Sequence, residues 1–88
     1  MNTSSEAITK LKKALETSHE AKTVIDNLIA VHDYQDVASL VVEAAATLLE
    51  AAISLMQSQD EIALDQVEAA EDLLDSAYSI IDGEVDED

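Results

Sequence analysis

The chain has no cysteine, no proline, no phenylalanine and no tryptophan, one glycine, and four lysines as its only strong cations. Each absence closes off a class of protein. Without cysteine there is no disulfide framework, no thiolate metal cluster and no cysteine nucleophile. Without glycine-rich segments there is no phosphate-cradling loop and no nucleophile elbow. Without clustered positive charge, direct binding to a nucleic-acid backbone or to an anionic membrane surface is not expected. With no proline and a single glycine in 88 residues, little interrupts long helices.

What the chain does have is acid. Its formal net charge is −16, unevenly spread. All four lysines (Lys10, Lys12, Lys13, Lys22) lie in residues 1–32 beside four acids, so that segment is neutral. Residues 33–88 hold the other sixteen acids and no lysine or arginine. A polyanionic remainder of this kind points to basic partners. The absence of cysteine and of a leader-like stretch sets a cytoplasmic protein as the expectation.

The most apolar stretch is 37–56, VASLVVEAAATLLEAAISLM. In the window 36–57, Asp36, Ser39, Glu43, Thr47, Glu50, Ser54 and Gln57 recur every three or four residues, a polar stripe on an otherwise apolar cylinder. That is the pattern of a helix covered on most sides. Glu43 and Glu50 inside the stretch, each costing about 2.5–3.5 kcal/mol near a bilayer centre, argue against a membrane span.

Around this central helix the expected fold is all-α, an up-down-up three-helix bundle over about 4–31, 34–57 and 59–82, with domain limits 1–83 and a frayed acidic tail, 84–88. Thr3 and Glu6 form a capping box at the first helix start. The first helix has its apolar seam at Ile8, Leu11, Leu15, Ile25, Leu28 and Ile29, with Ser18 as a small seam residue. Asp33 is placed to cap the second helix, and Ser58 with Glu61 reads as a second capping box. Ala63, Val67, Ala70, Leu74, Ala77 and Ile81 keep heptad-like spacing along the third helix, and Gly83 is placed to end it in a left-handed conformation. In this arrangement Lys10, Lys12 and Lys13 lie near the N-terminal half of the third helix, placed to pair with Glu61, Asp65 and Glu68 across the bundle or between subunits.

Two helices cannot cover the whole apolar sector of the central one. Val42, Leu49, Ala52 and Ile53 are therefore expected at a homodimer or higher-oligomer interface. Glu16-Thr17-Ser18-His19 has the Glu-x-x-His form of di-iron bundles, but there is no second copy. His32 lies thirteen residues away, about 20 Å along a continuous helix. No metal, no cofactor and no catalytic residue is expected.

The third helix carries the main functional candidate. Glu61, Asp65, Glu68, Asp72, Asp75 and Asp82 repeat in step with the seam but opposite it, and like charges so spaced destabilise a helix by about 0.2–0.5 kcal/mol per pair. With Asp33 and Asp36 at the neighbouring end, they define a partner-binding surface. The expected function is a non-enzymatic adaptor or inhibitor that docks through these carboxylates onto a basic protein surface. One alternative is a nucleic-acid mimic, of the phage or mobile-element inhibitor type, acting on a nuclease, repressor or defence enzyme. Another is an oligomeric sponge for a phosphorylated small ligand, held by Lys10, Lys13, Lys22 and His19. Size and acidity also resemble the colicin-type immunity proteins, whose Tyr-Tyr-Pro recognition motif the proline-free chain lacks.

Overall fold

The computed structural model describes residues 3–29 and 34–86, with side chains through Gly83. It is an all-α three-helix bundle, α1 (Ser4–Asp26), α2 (Gln35–Met56) and α3 (Asp60–Asp86), in up-down-up order with α2 in the middle.

α1 begins as the capping box requires, with the Glu6 amide donating to Thr3 Oγ1 at 3.1 Å. It stops at Asp26, about five residues before the expected end. Thr23, Val24 and Ile25 are β-branched and are followed by Asp26 and Asn27, so propensity weakens just there. Side chains then take up the last carbonyls: Asn27 Nδ2 donates to the Thr23 oxygen at 2.7 Å, and Gln35 Nε2, from the start of α2, donates to the Ile25 oxygen at 2.8 Å. The seam residues Leu28 and Ile29 consequently lie beyond the helix and are exposed. Asp33, the expected cap of α2, lies outside the described residues.

The end of α2 differs more instructively. Ser58 caps no helix N-terminus; it has φ 60°, the one described non-glycine residue in the left-handed region. Its amide donates to the Leu55 oxygen and the next amide, Gln59, to the Ser54 oxygen at 2.8 Å. This 5→2 and 6→1 pair is a Schellman ending, so Ser58 closes α2 instead of opening α3. Gln59 takes the N-terminal position of α3 by accepting from the Ala63 amide. Conversely, Gly83 has no positive φ, and α3 runs through it to Asp86. Residues 84–86 are thus helical, while Glu87 and Asp88 lie outside the described residues. A helical glycine costs about 1 kcal/mol relative to alanine, too little to stop a helix that is already 23 residues long on its N-terminal side.

The core is narrow and made largely of alanine. On α3 the buried residues are Ala63, Ala70 and Ala77, at most 3% exposed, spaced by sevens. Among the described residues α3 packs only on α2, so this row is its docking edge. On α2, helical periodicity sorts the buried residues by neighbour. Val37, Ala44 and Ala51, with Ser54, face α3; Ser39, Ala46 and Ile53 face α1. In antiparallel order, Val37, Ala44 and Ala51 run against Ala77, Ala70 and Ala63, a seam of alanines with one valine that brings the backbones close. α1 is docked more loosely and has no buried residue; Ile8, Leu11, Leu15, Ser18 and Ile25 are half-buried against α2.

Two members of the expected polar stripe work as interhelical ties. Ser39, 9% exposed, donates from its hydroxyl to Asp26 Oδ1 at 2.7 Å, and Ser54, 5% exposed, donates to Gln66 Oε1 at 2.8 Å. One buried serine therefore holds α1 and the other holds α3. Among the described residues no buried side-chain polar atom lacks a partner.

No Cα of α1 comes within 8 Å of a Cα of α3 among the described residues. The expected pairing of Lys10, Lys12 and Lys13 with Glu61, Asp65 and Glu68 is therefore not made within the chain. The flanking helices sit on nearly opposite sides of α2. The chain is correspondingly extended, with a radius of gyration of 15.4 Å against about 12 Å for a compact domain of this length.

Candidate functional site

The carboxylates of α3 project from the side opposite its alanine edge. With residues placed at 100° intervals, Glu61, Glu68, Asp75 and Asp82 form one row, and Asp65 and Asp72 form a second beside it. All six are exposed. They cover about 31 Å of helix at 1.5 Å per residue. Among the described residues none of the six has an ion-pair partner, and α3 contains no lysine or arginine. Asp60 and Glu61 stand in the first turn, where the positive end of the helix dipole favours them. Asp82 stands near the other end, where it gains no such help.

Of the further residues assigned to this surface, Asp36 is exposed in the first turn of α2, and Asp33 is outside the described residues. Asp36 continues along α2 into Glu43 and Glu50. These form the polar stripe between the α1 and α3 grooves, a separate carboxylate line from the one on α3.

The residues considered for a phosphorylated ligand do not converge. Lys10, Lys13 and His19 are exposed on different sides of α1, and Lys10 and Lys22 are about 18 Å apart along the axis. Lys22 is already engaged: its Nζ lies 2.9 Å from Asp26 Oδ2, the one ion pair among the described residues. Asp26 in turn accepts from Ser39. The Ser39 hydroxyl first and the Lys22 ammonium second hold the Asp26 carboxyl below its ordinary value, and the bond to Asp26 raises Lys22. This triad stabilises the α1–α2 corner.

Glu16 and His19 are both exposed on α1. Among the described residues no three histidine, aspartate or glutamate side chains are grouped to hold a metal ion. Two shallow hollows, about 320 and 360 Å³, lie at the starts of α1 (Thr3, Ser5, Glu6, Thr9, Lys10) and α3 (Ser58–Ile62). The side chains that line both are exposed.

The residues expected at an oligomer interface sit at different depths. Ile53 is 8% exposed and faces α1, while Val42, Leu49 and Ala52 are half-buried. The more open apolar line runs through Ala38, Val41, Ala45, Leu48, Ala52 and Leu55, of which Ala52, half-buried, belongs to the expected set. Val41 and Leu48 are each 43% exposed and Leu55 is 56% exposed. The sequence pattern revealed an excess apolar sector, but where α1 and α3 dock decides which part of it remains open. α2 is also long and apolar enough to cross a membrane by length and composition, yet it is the shared packing partner of both other helices and a third of its most apolar window (33%) is buried inside the protein.

No family model, curated protein or solved structure matches the chain.

Proposed function

We propose that the protein is a non-enzymatic acidic binding module, an adaptor or inhibitor that docks the outer face of α3 onto a basic surface of a protein partner. The observation carrying this reading is the pair of carboxylate rows at Glu61, Glu68, Asp75 and Asp82 and at Asp65 and Asp72, exposed together with no cation on the same helix. Crowding acids without internal relief costs helix stability. A complementary cationic surface recovers that cost on binding and accelerates encounter. Neutral Glu/Asp→Gln and Asp→Asn changes along both rows are expected to weaken capture of the partner at least tenfold and to flatten its salt dependence. Capture unchanged by these substitutions would remove the basis of the reading.

A narrower version is a nucleic-acid mimic. The linear run of carboxylates supports it, but six charges over about 31 Å are sparse beside duplex DNA, with about one charge per 1.7 Å. The mimic therefore requires rows from more than one chain. A partner that keeps its DNA or RNA while bound to this protein would exclude it.

A further inference from the structure

The open line on α2 has its own order. Ala38, Ala45 and Ala52 occupy one heptad position, and Val41, Leu48 and Leu55 occupy another, so small and large residues alternate at steps of three and four with no charge among them. The same logic, alanines every seven residues, already seats α3 on the neighbouring side of α2. The line continues onto α3. Gln66 reaches Ser54 from the polar-stripe side, so the other flank of α3, with Leu74 41% and Ile81 42% exposed, borders the open line.

The amount of exposed surface is the second observation. The chain leaves 6372 Å² accessible, whereas a folded monomer of its mass leaves about 5,000 Å². Val41 and Leu48, each 43% exposed, and Leu55, 56% exposed, contribute to that accessible surface, and a standard stable interface removes roughly 800 Å² from each partner.

We propose that a second copy of the chain covers this face, with α2 packed on α2 in antiparallel order about a two-fold axis. The register is chosen by size. When Ala45 of one copy lies opposite Leu48 of the other, Val41 falls opposite Ala52 and Ala38 opposite Leu55, so every layer joins one large and one small side chain. Parallel pairing would stack alanine on alanine and leucine on leucine, alternating gaps with crowding. The acidic rows of α3 project opposite its alanine edge, away from α2, so two polyanionic chains can meet at an uncharged seam. This dimer stands independently of the docking reading for α3.

Sedimentation equilibrium at micromolar concentration is expected to give twice the 9.4 kDa chain mass. Leu48→Glu, at a half-exposed position, is expected to give the monomer mass with unchanged helical circular dichroism. Because the chain has no cysteine, register can be read by disulfide formation. A mixture of Ala38→Cys and Leu55→Cys chains is expected to cross-link. Ala38→Cys alone is not, because its two copies would lie about 25 Å apart along the axis, beyond the roughly 7 Å limit for a disulfide. A monomeric wild type, a dimer indifferent to Leu48→Glu, or rapid cross-linking of Ala38→Cys with itself would each overturn the proposal. So would co-flotation of monomeric protein with phosphatidylcholine vesicles, which would assign the face to lipid.

Discussion

α1 and α3 flank the same helix by different means. α3 lies along α2 on a row of fully buried alanines, with one serine–glutamine bond, whereas α1 buries no residue completely and is anchored at its C-terminal end by Asp26, Ser39 and Gln35. The alanine seam trades side-chain bulk for backbone proximity and tolerates no added volume. The α1 contact is built of half-buried leucines and isoleucines that keep some freedom and can adjust. Helices with similar apolar spacing are thus held with different stringency, and stringency follows from residue size at the seam rather than from hydrophobicity alone.

The largest effect should fall on the alanine seam. Ala70→Leu, at a position 0% exposed, is expected to destabilise by about 1–3 kcal/mol through overpacking, read from urea denaturation. Leu15→Ala on α1 should cost only about 1 kcal/mol, since a half-buried leucine forfeits a fraction of the usual 2–5. A reversed order would break the comparison between the two helices.

The next effect concerns the α1 anchor. Ser39→Ala is expected to cost about 1 kcal/mol by removing a buried hydroxyl bond. It should also change the acid response. Asp26 is held below its ordinary value in the folded protein, so its contribution is fully present above the unfolded aspartate pKa and lost as pH falls through the folded one. Amide protection factors in α1, taken relative to the intrinsic exchange rate at each pH, should therefore fall in acid, and Ser39→Ala should shrink that fall.

The smallest effects are two stabilisations. Ser58→Gly relieves a left-handed serine, and Gly83→Ala fills a helical position where a Cβ meets nothing within 4 Å. Each is expected to raise stability by about 0.5–1 kcal/mol. A loss from either would contradict the helix ends described above.

These two positions also mark the limit of what the sequence discloses. Ser58-x-x-Glu61 has the pattern of an N-cap and Gly83 that of a C-terminus, yet the left-handed residue is the serine and the glycine is helical. Local pattern names the candidates for a turn, but the short α2–α3 connection must reverse the chain within Gln57–Gln59, and that demand overrides preference. The alanines of the expected seam, Ala63, Ala70 and Ala77, were legible because a heptad repeat in one helix needs no knowledge of its neighbour, whereas its Leu74 and Ile81 stay exposed, since one neighbour covers only part of the seam's width. The carboxylate rows of α3 were legible for the same reason, being defined relative to that seam. The depth of the α2 residues was not legible, Ile53 being buried while Val41 and Leu48 stay exposed, because an apolar sector wider than its neighbours does not say at which angles they dock. The early end of α1 depended on Gln35, a side chain from the next helix.

Among the described residues the separation of α1 from α3 makes the chain a series rather than a closed ring, with α2 standing between the outer helices. Stability changes made on α1 and on α3 should then add, as they do for sites without shared partners. Contacts confined to successive helices also keep sequence separations short, which favours rapid folding. The outer face of α3 can accordingly change its chemistry for a new partner while α1 and its anchor stay as they are.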